Sequence, residues 1–295
     1  MGVATITGTY GLVFFYLLYI VTRSPQTFSE KYLSESSATA INDWLALSIG
    51  NSRLHWGWFS GQTLRQSWHT NHLDSAMWEL SVAERLRSQI PDSLSCGTEI
   101  PLLLASVVPE QTAYWRDYSY LQKLTLGDIP LKNLYPSLGC DRALALYGAA
   151  EMMGYPCLLI DGGTALTFSA VNPSREFVGG AILPGIRLQA VSLETGTAGL
   201  KTVDFLGKQP ERWAQSTDSA IRSGILHSLS AGVDSFIAHW RAKYDNSAIV
   251  FTGGDGQLLR HLWQLESKII DVSAITYRSD VILEAIGRLR NMEST

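Results

Sequence analysis

Residues 157–171 read CLLIDGGTALTFSAV: an apolar run, a glycine turn, and a second run in which Thr and Ser alternate with apolar residues. An apolar run bounded by turn residues predicts a buried strand, and the alternation after the turn predicts a second strand paired with it. Residues 44–61 read WLALSIGNSRLHWGWFSG and repeat this order of strand, glycine turn and strand. Two such β-hairpins predict two similar lobes that face one another.

Strand and helix signals alternate through the rest of the chain. Short apolar runs predict further buried strands at 101–108 and 248–252. Apolar periodicity predicts helices at 74–89, 144–153, 186–195, 220–244 and 280–291. Alternation of this kind is typical of the α/β class. The Gly/Pro break at 154–156 predicts a boundary between a first lobe of residues 42–154 and a second of residues 155–291.

Composition excludes several classes of protein. The chain has 295 residues, of which 46% are apolar and 17% charged, so it forms a large core and is not disordered. A formal net charge of -4 without a Lys/Arg run argues against a nucleic-acid partner. Three widely spaced cysteines fit neither a disulfide framework nor a zinc site. A reducing, cytoplasmic setting is therefore the simpler expectation.

The N-terminal segment differs from the rest of the chain. Residues 3–22 carry no charge, and residues 11–21 are almost wholly apolar. The segment reaches the length of a spanning helix, about 20 residues, only by including polar Thr residues, and no basic region precedes the apolar run. We expect residues 1–41 to be a disordered extension or a segment upstream of the true start, in preference to a membrane anchor through residues 3–22. The first folded residue is expected near Asn42.

The two hairpin turns carry residues suited to binding phosphate. In Asp161-Gly-Gly-Thr164 the glycines let backbone N–H groups approach an anion, the Thr hydroxyl adds a donor, and the Asp can hold a cation. In the first hairpin, Gly50 with the side chains of Asn51 and Ser52 offers similar chemistry. An ordinary β-turn explains either motif taken alone.

Two further motifs could complete a site around a phosphate. Gly253-Gly254-Asp255 follows a strand and gives a flat surface for a nucleobase or sugar, although a tight strand-to-helix turn also explains it. Gly139-Cys-Asp-Arg142 opens a helix. Asp141 is a candidate general base and Arg142 a fork-shaped donor to a carboxylate or phosphate, the alternative being a helix cap with a surface salt bridge. All four motifs together predict transfer of the γ-phosphoryl group of ATP to a small hydroxyl substrate.

The order of motifs SIGNSR, YPSLGCDR, DGGTALT, GGAILPG, SGILHS and FTGGD resembles type III pantothenate kinases, over residues 44–290. The resemblance implies two actin-like (ribonuclease H-like) lobes with a nucleotide cleft between them, as in the acetate and sugar kinase/Hsp70/actin superfamily. It implies an enzyme that phosphorylates pantothenate with ATP, the first step of coenzyme A biosynthesis. It also implies a divalent metal (Mg²⁺), a monovalent cation (K⁺ or NH₄⁺) and a homodimer.

The matching motifs assign the site residues. Asp141 is implied to be the catalytic base, and Asp161 to lie at the monovalent cation. The residues assigned to ATP are Ser48, Ile49, Gly50, Asn51, Ser52, Arg53, Leu54, His55, Thr164, Gly253 and Gly254. The residues assigned to pantothenate are Tyr135, Gly139, Cys140, Asp141, Arg142 and Thr217. The spacing between Tyr135 and the Gly-x-Asp-Arg motif is shorter than the family pattern.

One position departs from the family pattern. The first hairpin of the family opens with Asp, and this chain has Ser48 there. Ser is a weaker ligand than a carboxylate for a hard cation. Two alternatives to a pantothenate kinase stay open. Ser48 favours an ATP-binding regulator of the same fold with weak or no activity. The second alternative is a kinase for a sugar or small acid, against which Arg142 and the Gly-x-Asp-Arg motif argue. The histidines at 55, 227 and 239 lack metal-ligand spacing, so their side chains are assigned to packing or to the surface.

Overall fold

The apolar runs of the sequence form the central strands of two five-stranded sheets. The structure is a computed structural model that describes residues 43–94, 97, 99–205, 209–267 and 275–293. The expectations for residues 1–41, and the one for Cys96, lie outside these ranges.

The first sheet contains the first of the two predicted hairpins. Its strands are β1 (Asp43–Ile49), β2 (Leu54–Ser60), β3 (Thr63–Thr70), β4 (Leu102–Ser106) and β5 (Leu121–Lys123). They lie in the order β3-β2-β1-β4-β5. Strands β1, β2 and β3 are antiparallel neighbours, whereas β4 runs parallel to β1 and β5 parallel to β4.

The second sheet repeats this arrangement. Its strands are β6 (Cys157–Gly162), β7 (Ala165–Val171), β8 (Phe177–Pro184), β9 (Ala248–Thr252) and β10 (Ile275–Tyr277). Their order is β8-β7-β6-β9-β10, with β6, β7 and β8 antiparallel and β9 and β10 parallel to β6. Strand for strand this is the topology of the first sheet, so the predicted duplication and the α/β class are confirmed.

Seven α-helices pack on these sheets within the described part of the chain. They are α1 (Val82–Gln89), α2 (Pro109–Ala113), α3 (Cys140–Met153), α4 (Ile186–Gly196), α5 (Thr217–Lys243), α6 (Gly256–Glu266) and α7 (Val281–Glu293). The prediction of one continuous helix over 74–89 is wrong, because the helical structure is interrupted after Glu79. A 3₁₀ helix spans Ser75–Glu79, and α1 begins afresh behind Ser81, whose hydroxyl and the Glu84 carboxylate form a reciprocal capping box.

The core has three parts, one in the middle and one on each outer side. Helices α3 and α7 fill the space between the two sheets, with Trp44 and Phe59 of the first sheet packed among them. The outer face of the first sheet packs against α1 and α2, and that of the second against α5 and α6. Helix α7 thus follows the second sheet in the chain but contacts β1, β2 and β3 of the first. The lobe boundary at 154/155 stays a prediction.

Among the described residues, none of the helices combines the length and the apolar character that crossing a bilayer requires.

Candidate active site

The turns of the two predicted hairpins meet. The hydroxyls of Ser52, between β1 and β2, and Thr164, between β6 and β7, share a hydrogen bond of 2.6 Å although 112 residues separate them. The first turn is closed by the amide of Gly50, which donates to the carbonyl of Arg53 at 3.2 Å. Two glycine turns therefore present their polar groups to one place, as a shared triphosphate requires.

The second turn is held between two helix starts. The amide of Gly185, the residue before α4, donates to the carbonyl of Thr164 at 2.9 Å, and that of Asp255, before α6, donates to the carbonyl of Gly162 at 2.8 Å. A Cβ atom at 185 would lie 2.2 Å from the carbonyl oxygen of Gly163. Only glycine allows this approach, so the GGAILPG motif places the start of α4 directly on the phosphate-type turn.

Asp161 is the penultimate residue of β6, beside this turn, and its carboxylate is enclosed. Burial, and next the negative charge of Asp141, raise the pKa of Asp161 to about 6. Gly253 has a φ of +84°, and a Cβ there would lie 2.3 Å from Asp161 Oδ1. The hydrogen bonds of the described residues leave this carboxylate without a donor. A buried carboxylate with no donor, next to a second carboxylate, is suited to a cation.

Asp141 occupies the second position of α3 and belongs to the same group of charges. Its Oδ1 accepts a 2.7 Å hydrogen bond from the amide of Arg142. A Cβ on Gly139 would lie 2.6 Å from this oxygen, so glycine leaves the room that the carboxylate fills. Burial raises the pKa of Asp141, whereas the amide and charge of Arg142 oppose that rise. A carboxyl whose pKa is raised by burial is the kind of group that acts as a general base.

Arg142 connects α3 to the second sheet. Its Nη2 donates to the carbonyl of Phe168 and to the hydroxyl of Ser169, both at 3.1 Å, and its Nη1 donates to the hydroxyl of Tyr135 at 3.4 Å. The Nε atom is buried and finds no acceptor among the described residues. These hydrogen bonds fix the guanidinium beside the Tyr135 hydroxyl, and the Nε–H group of Arg142 still lacks an acceptor.

Three charged residues from different elements lie close together beside the hairpin turns. Arg187 in the first turn of α4 lies 3.6 Å from Asp255, and Arg53 of the first hairpin turn is close enough to Asp255 to oppose the rise in its pKa that burial causes. Arg53 was among the predicted site residues, Asp255 was quoted in its motif without a role, and Arg187 was not predicted. The signal for Asp255 was present, since it completes the Gly-Gly-Asp motif, whereas nothing local distinguishes Arg187 from a surface arginine.

Other predicted site residues have different surroundings. Ser48 is only 3% exposed and lies at the end of β1 opposite His55 and Ala105. The thiol of Cys140 points to the carbonyl of Leu124 at 3.9 Å, and burial raises its pKa to about 11. Thr217 is exposed at the start of α5, and the contacts of the described chain do not join it to Asp141, Arg142 or Tyr135.

Ile49 and Leu54 flank the first turn as the last β1–β2 pair and are fully buried, so they support the turn with their side chains. Asn51 is exposed in it. A cavity of about 620 Å³ lies elsewhere, between α5 and α6, and its lining includes Arg222, His227 and His261 but none of the predicted site residues.

Two five-stranded sheets of one topology, each with a glycine turn after its central strand, and the meeting of these two turns beside carboxylates, define a two-lobed actin-like fold. Residues 44–239 match the type III pantothenate kinase family. The chain therefore belongs to the type III pantothenate kinase family.

Curated relatives agree with this assignment. The chain is 41% identical over 253 residues to the type III pantothenate kinase of Nostoc sp., covering 79% of this chain and 89% of that one. It is 40% identical to the enzyme of Synechococcus elongatus, covering 83% and 95%.

Solved structures of lower identity share the fold. They include a conserved putative Baf family transcriptional activator from Campylobacter jejuni (TM-score 0.55, 17% identity, covering 85% of this chain and 98% of that one). A putative 2-dehydro-3-deoxygalactonokinase from Sinorhizobium meliloti is also similar (TM-score 0.51, 13% identity, covering 84% and 96%).

Proposed function

We propose that the chain transfers the γ-phosphoryl group of ATP to the primary hydroxyl of pantothenate, with Asp141 as the general base. The observation that carries the proposal is the 2.6 Å contact between Ser52 and Thr164, since it brings two phosphate-type turns to one place next to Asp141 and Asp161. Membership of the type III pantothenate kinase family supplies the acceptor.

The base acts by position and by charge. Asp141 accepts the hydroxyl proton of pantothenate as the oxygen attacks phosphorus, and a base in this role contributes roughly 10²–10⁴-fold to the rate. Enclosure of the carboxylate raises its pKa toward the working pH, which favours proton acceptance. The two turns orient the phosphates in line with the hydroxyl, and orientation with charge stabilisation provides most of the catalysis in phosphoryl transfer.

The substrate end of the site is proposed to centre on Arg142. Pantothenate carries a carboxylate, and a guanidinium held by Phe168 and Ser169 offers that group a fixed donor plane. The Tyr135 hydroxyl beside Nη1 adds a second polar contact. We keep Gly139, Cys140 and Thr217 as proposed pantothenate contacts.

Two cations are implied by the reaction. Among the described residues, no group of three or more His, Cys, Asp or Glu side chains could hold a metal alone. Asp161 fits a monovalent cation because its enclosed carboxylate accepts no hydrogen bond from the described residues. Mg²⁺ commonly takes most of its ligands from phosphate oxygens and water, so it needs fewer side chains. When bound, such cations neutralise charge on the phosphates. We propose Asp161 as the monovalent-cation residue.

A coupled assay of ADP release tests the proposal. With Mg²⁺ and K⁺ present, ADP release should require pantothenate, and 4'-phosphopantothenate should form in equal amount. Replacing K⁺ with Na⁺ should lower the rate if a monovalent cation is needed. Calorimetric binding of both substrates without turnover over a range of Mg²⁺ and K⁺ concentrations would refute the kinase and support the regulator, which the absence of a carboxylate at Ser48 favours.

We also propose a homodimer. Edge strand β8 exposes Val178 and Ile182, and helix α4 exposes Leu188 and Val191, with 39–64% of each residue accessible. Exposed apolar side chains grouped on adjoining elements are typical of protein interfaces. Sedimentation equilibrium should give twice the mass of the chain, and Ile182→Glu should shift the equilibrium to monomer.

A further inference from the structure

The cross-strand neighbour of Ser48 makes an unexpected contact. His55 pairs with Ser48 between β2 and β1, and side chains of directly opposite residues lie on the same face of a sheet. On that face His55 donates from Nε2 to Asp280 Oδ1 at 3.1 Å. Asp280 comes from far along the chain, immediately before α7. Ser48 departs from the family pattern, and its cross-strand neighbour His55 is therefore linked to a carboxylate from another element.

The carboxylate of Asp280 accepts hydrogen bonds from other side chains besides His55. The side chain of Ser279 donates to Oδ2 at 2.6 Å, and the Ser67 hydroxyl also donates to this carboxylate. These hydrogen bonds, that of His55 first, hold the pKa of Asp280 well below its usual range, so the group is ionised. On the other side of His55, the ring of His69 stacks at 4.1 Å. Burial, followed by the charges of His55 and Arg53, lowers the pKa of His69 to about 4, so that ring is neutral.

The segment that carries Asp280 also contacts the Gly253 turn, which follows β9 of the second sheet. Tyr277, the last residue of β10, donates its hydroxyl to the carbonyl of Gly253 at 3.3 Å. Burial, then the charges of Asp280 and Asp161, raise the pKa of Tyr277, so its hydroxyl lies near both carboxylates. The short run from Tyr277 to Asp280 thus joins the Gly253 turn to the strand that leaves the first hairpin turn.

We propose that the His55–Asp280 pair is a positioning strut that holds the first hairpin turn at the spacing from the Gly253 turn that bound ATP requires. The inference rests on the proposed function and adds two positioning residues to it. Ser52 lies three residues before His55, so the strut fixes the start of β2, directly after the turn from which Ser52 reaches Thr164. Loss of the strut lets the first turn move relative to the second, and affinity for the phosphates falls while the pantothenate contacts of Arg142 are unaffected.

The experiment compares nucleotide binding and turnover in Asp280→Ala, Asp280→Asn and His55→Ala. Calorimetry with Mg²⁺ and a non-hydrolysable ATP analogue should give a Kd raised about tenfold in Asp280→Ala, the usual effect of losing a charge-assisted hydrogen bond. Asp280→Asn keeps an acceptor of nearly the same size and shape, so it should fold and raise Kd about threefold. KM for ATP should rise in parallel, with KM for pantothenate changed less than about twofold.

Asp234→Asn is the matched control. Asp234 also accepts two side-chain hydrogen bonds, from Trp263 at 2.8 Å and Ser267 at 2.6 Å, but on the outer side of the second sheet. It should alter thermal stability without altering Kd for the analogue. Equal changes in Kd for Asp280→Asn and Asp234→Asn, or a stability loss in Asp280→Asn with Kd unchanged, would overturn the strut.

A double-mutant cycle tests the pair as a unit. His55→Ala with Asp280→Ala should weaken analogue binding no more than either single change, because each removes the same contact. Additive effects on Kd would show that the two residues act separately. If wild-type protein binds the analogue but lacks pantothenate-dependent turnover, the proposed function fails, while the calorimetric comparison still decides the strut.

Discussion

Replacing Asp141 with Asn removes one negative charge from the start of α3 and alters little else. The amide oxygen of Asn can still accept the hydrogen bond that the Arg142 amide gives at 2.7 Å, so the local backbone keeps its partner. The room beside Gly139 that holds the carboxylate also accommodates an amide of nearly the same size. The change therefore tests the charge and basicity of residue 141 with the fold retained.

The expected loss in turnover follows from the role of the group. A general base contributes roughly 10²–10⁴-fold, which corresponds to about 3–5.5 kcal/mol of barrier at 1.36 kcal/mol per tenfold. Stability should change in the opposite direction. Because burial raises the pKa of Asp141, the ionised carboxylate disfavours the folded state, and a neutral amide removes that penalty. Tm should therefore stay the same or rise slightly.

The assay is pantothenate-dependent ADP release at saturating ATP, with Tm measured on the same samples. Glu110→Gln is the control. Like Asp141, Glu110 is the second residue of its helix, α2, but it is exposed and lies outside the site. It should leave kcat unchanged. A kcat for Asp141→Asn within tenfold of wild type would remove Asp141 from the mechanism and leave it the role of a helix-capping residue.

The other predictions concern the geometry of the site. Gly253→Ala forces a side chain into a left-handed backbone beside Asp161, so Tm should fall by roughly 2–8 °C with loss of ATP binding. Gly254→Ala, where a Cβ meets no atom within 4 Å, should retain the wild-type Tm, and an equal fall in Tm would refute the steric argument. Arg142→Lys removes the planar donor set and should raise KM for pantothenate about tenfold with KM for ATP nearly unchanged; a rise in both constants would assign Arg142 to general packing. Ser48→Asp should lower the Mg²⁺ concentration for half-maximal activity several-fold, and an unaltered Mg²⁺ titration would show that position 48 is remote from the metal.

The sequence was most informative at the ends of the central strands. The runs that became β1, β6 and β9 are apolar and end at glycine turns, because a strand buried on both faces needs no polar side chains until it leaves the sheet. Thr164 and Ser52 were therefore placed in turns from sequence alone. The turns' convergence was predicted from their similarity, since identical lobes place equivalent turns opposite one another.

Peripheral strands escaped prediction for a physical reason. In β3, five of the eight residues are exposed and none is buried, so its sequence lacks the apolar alternation on which strand prediction depends. Strand β8 contains Gly179 and Gly180, which weaken any strand signal, and a Cβ on Gly180 would lie 2.1 Å from the carbonyl of Phe168. These strands form because the central strands offer them a paired edge, and no local sequence feature reports that.

Contacts between distant elements were equally hidden. Asp280 was placed correctly at the start of the last helix, where an acidic residue is expected in any case. Its partner His55 was assigned to ATP by the resemblance and to packing or the surface by its lack of metal-ligand spacing. The contact with Asp280 was not predicted, since the two residues lie 225 positions apart and share no motif. Tyr277 and Arg187 carry no local sequence signal of a role, because only the folded chain places them next to the turns.

The position of α7 has a consequence for how the protein is made. The first sheet is synthesised early, yet Phe59 packs against Gly287 of the last helix, and the Arg290 guanidinium lies 4.5 Å from the Trp44 ring. On the ribosome the nascent first lobe has an uncovered apolar face until α7 has emerged. Completion of this lobe therefore waits for α7, and chaperones that shield apolar surfaces should bind chains stalled before α7 more strongly than chains that include it.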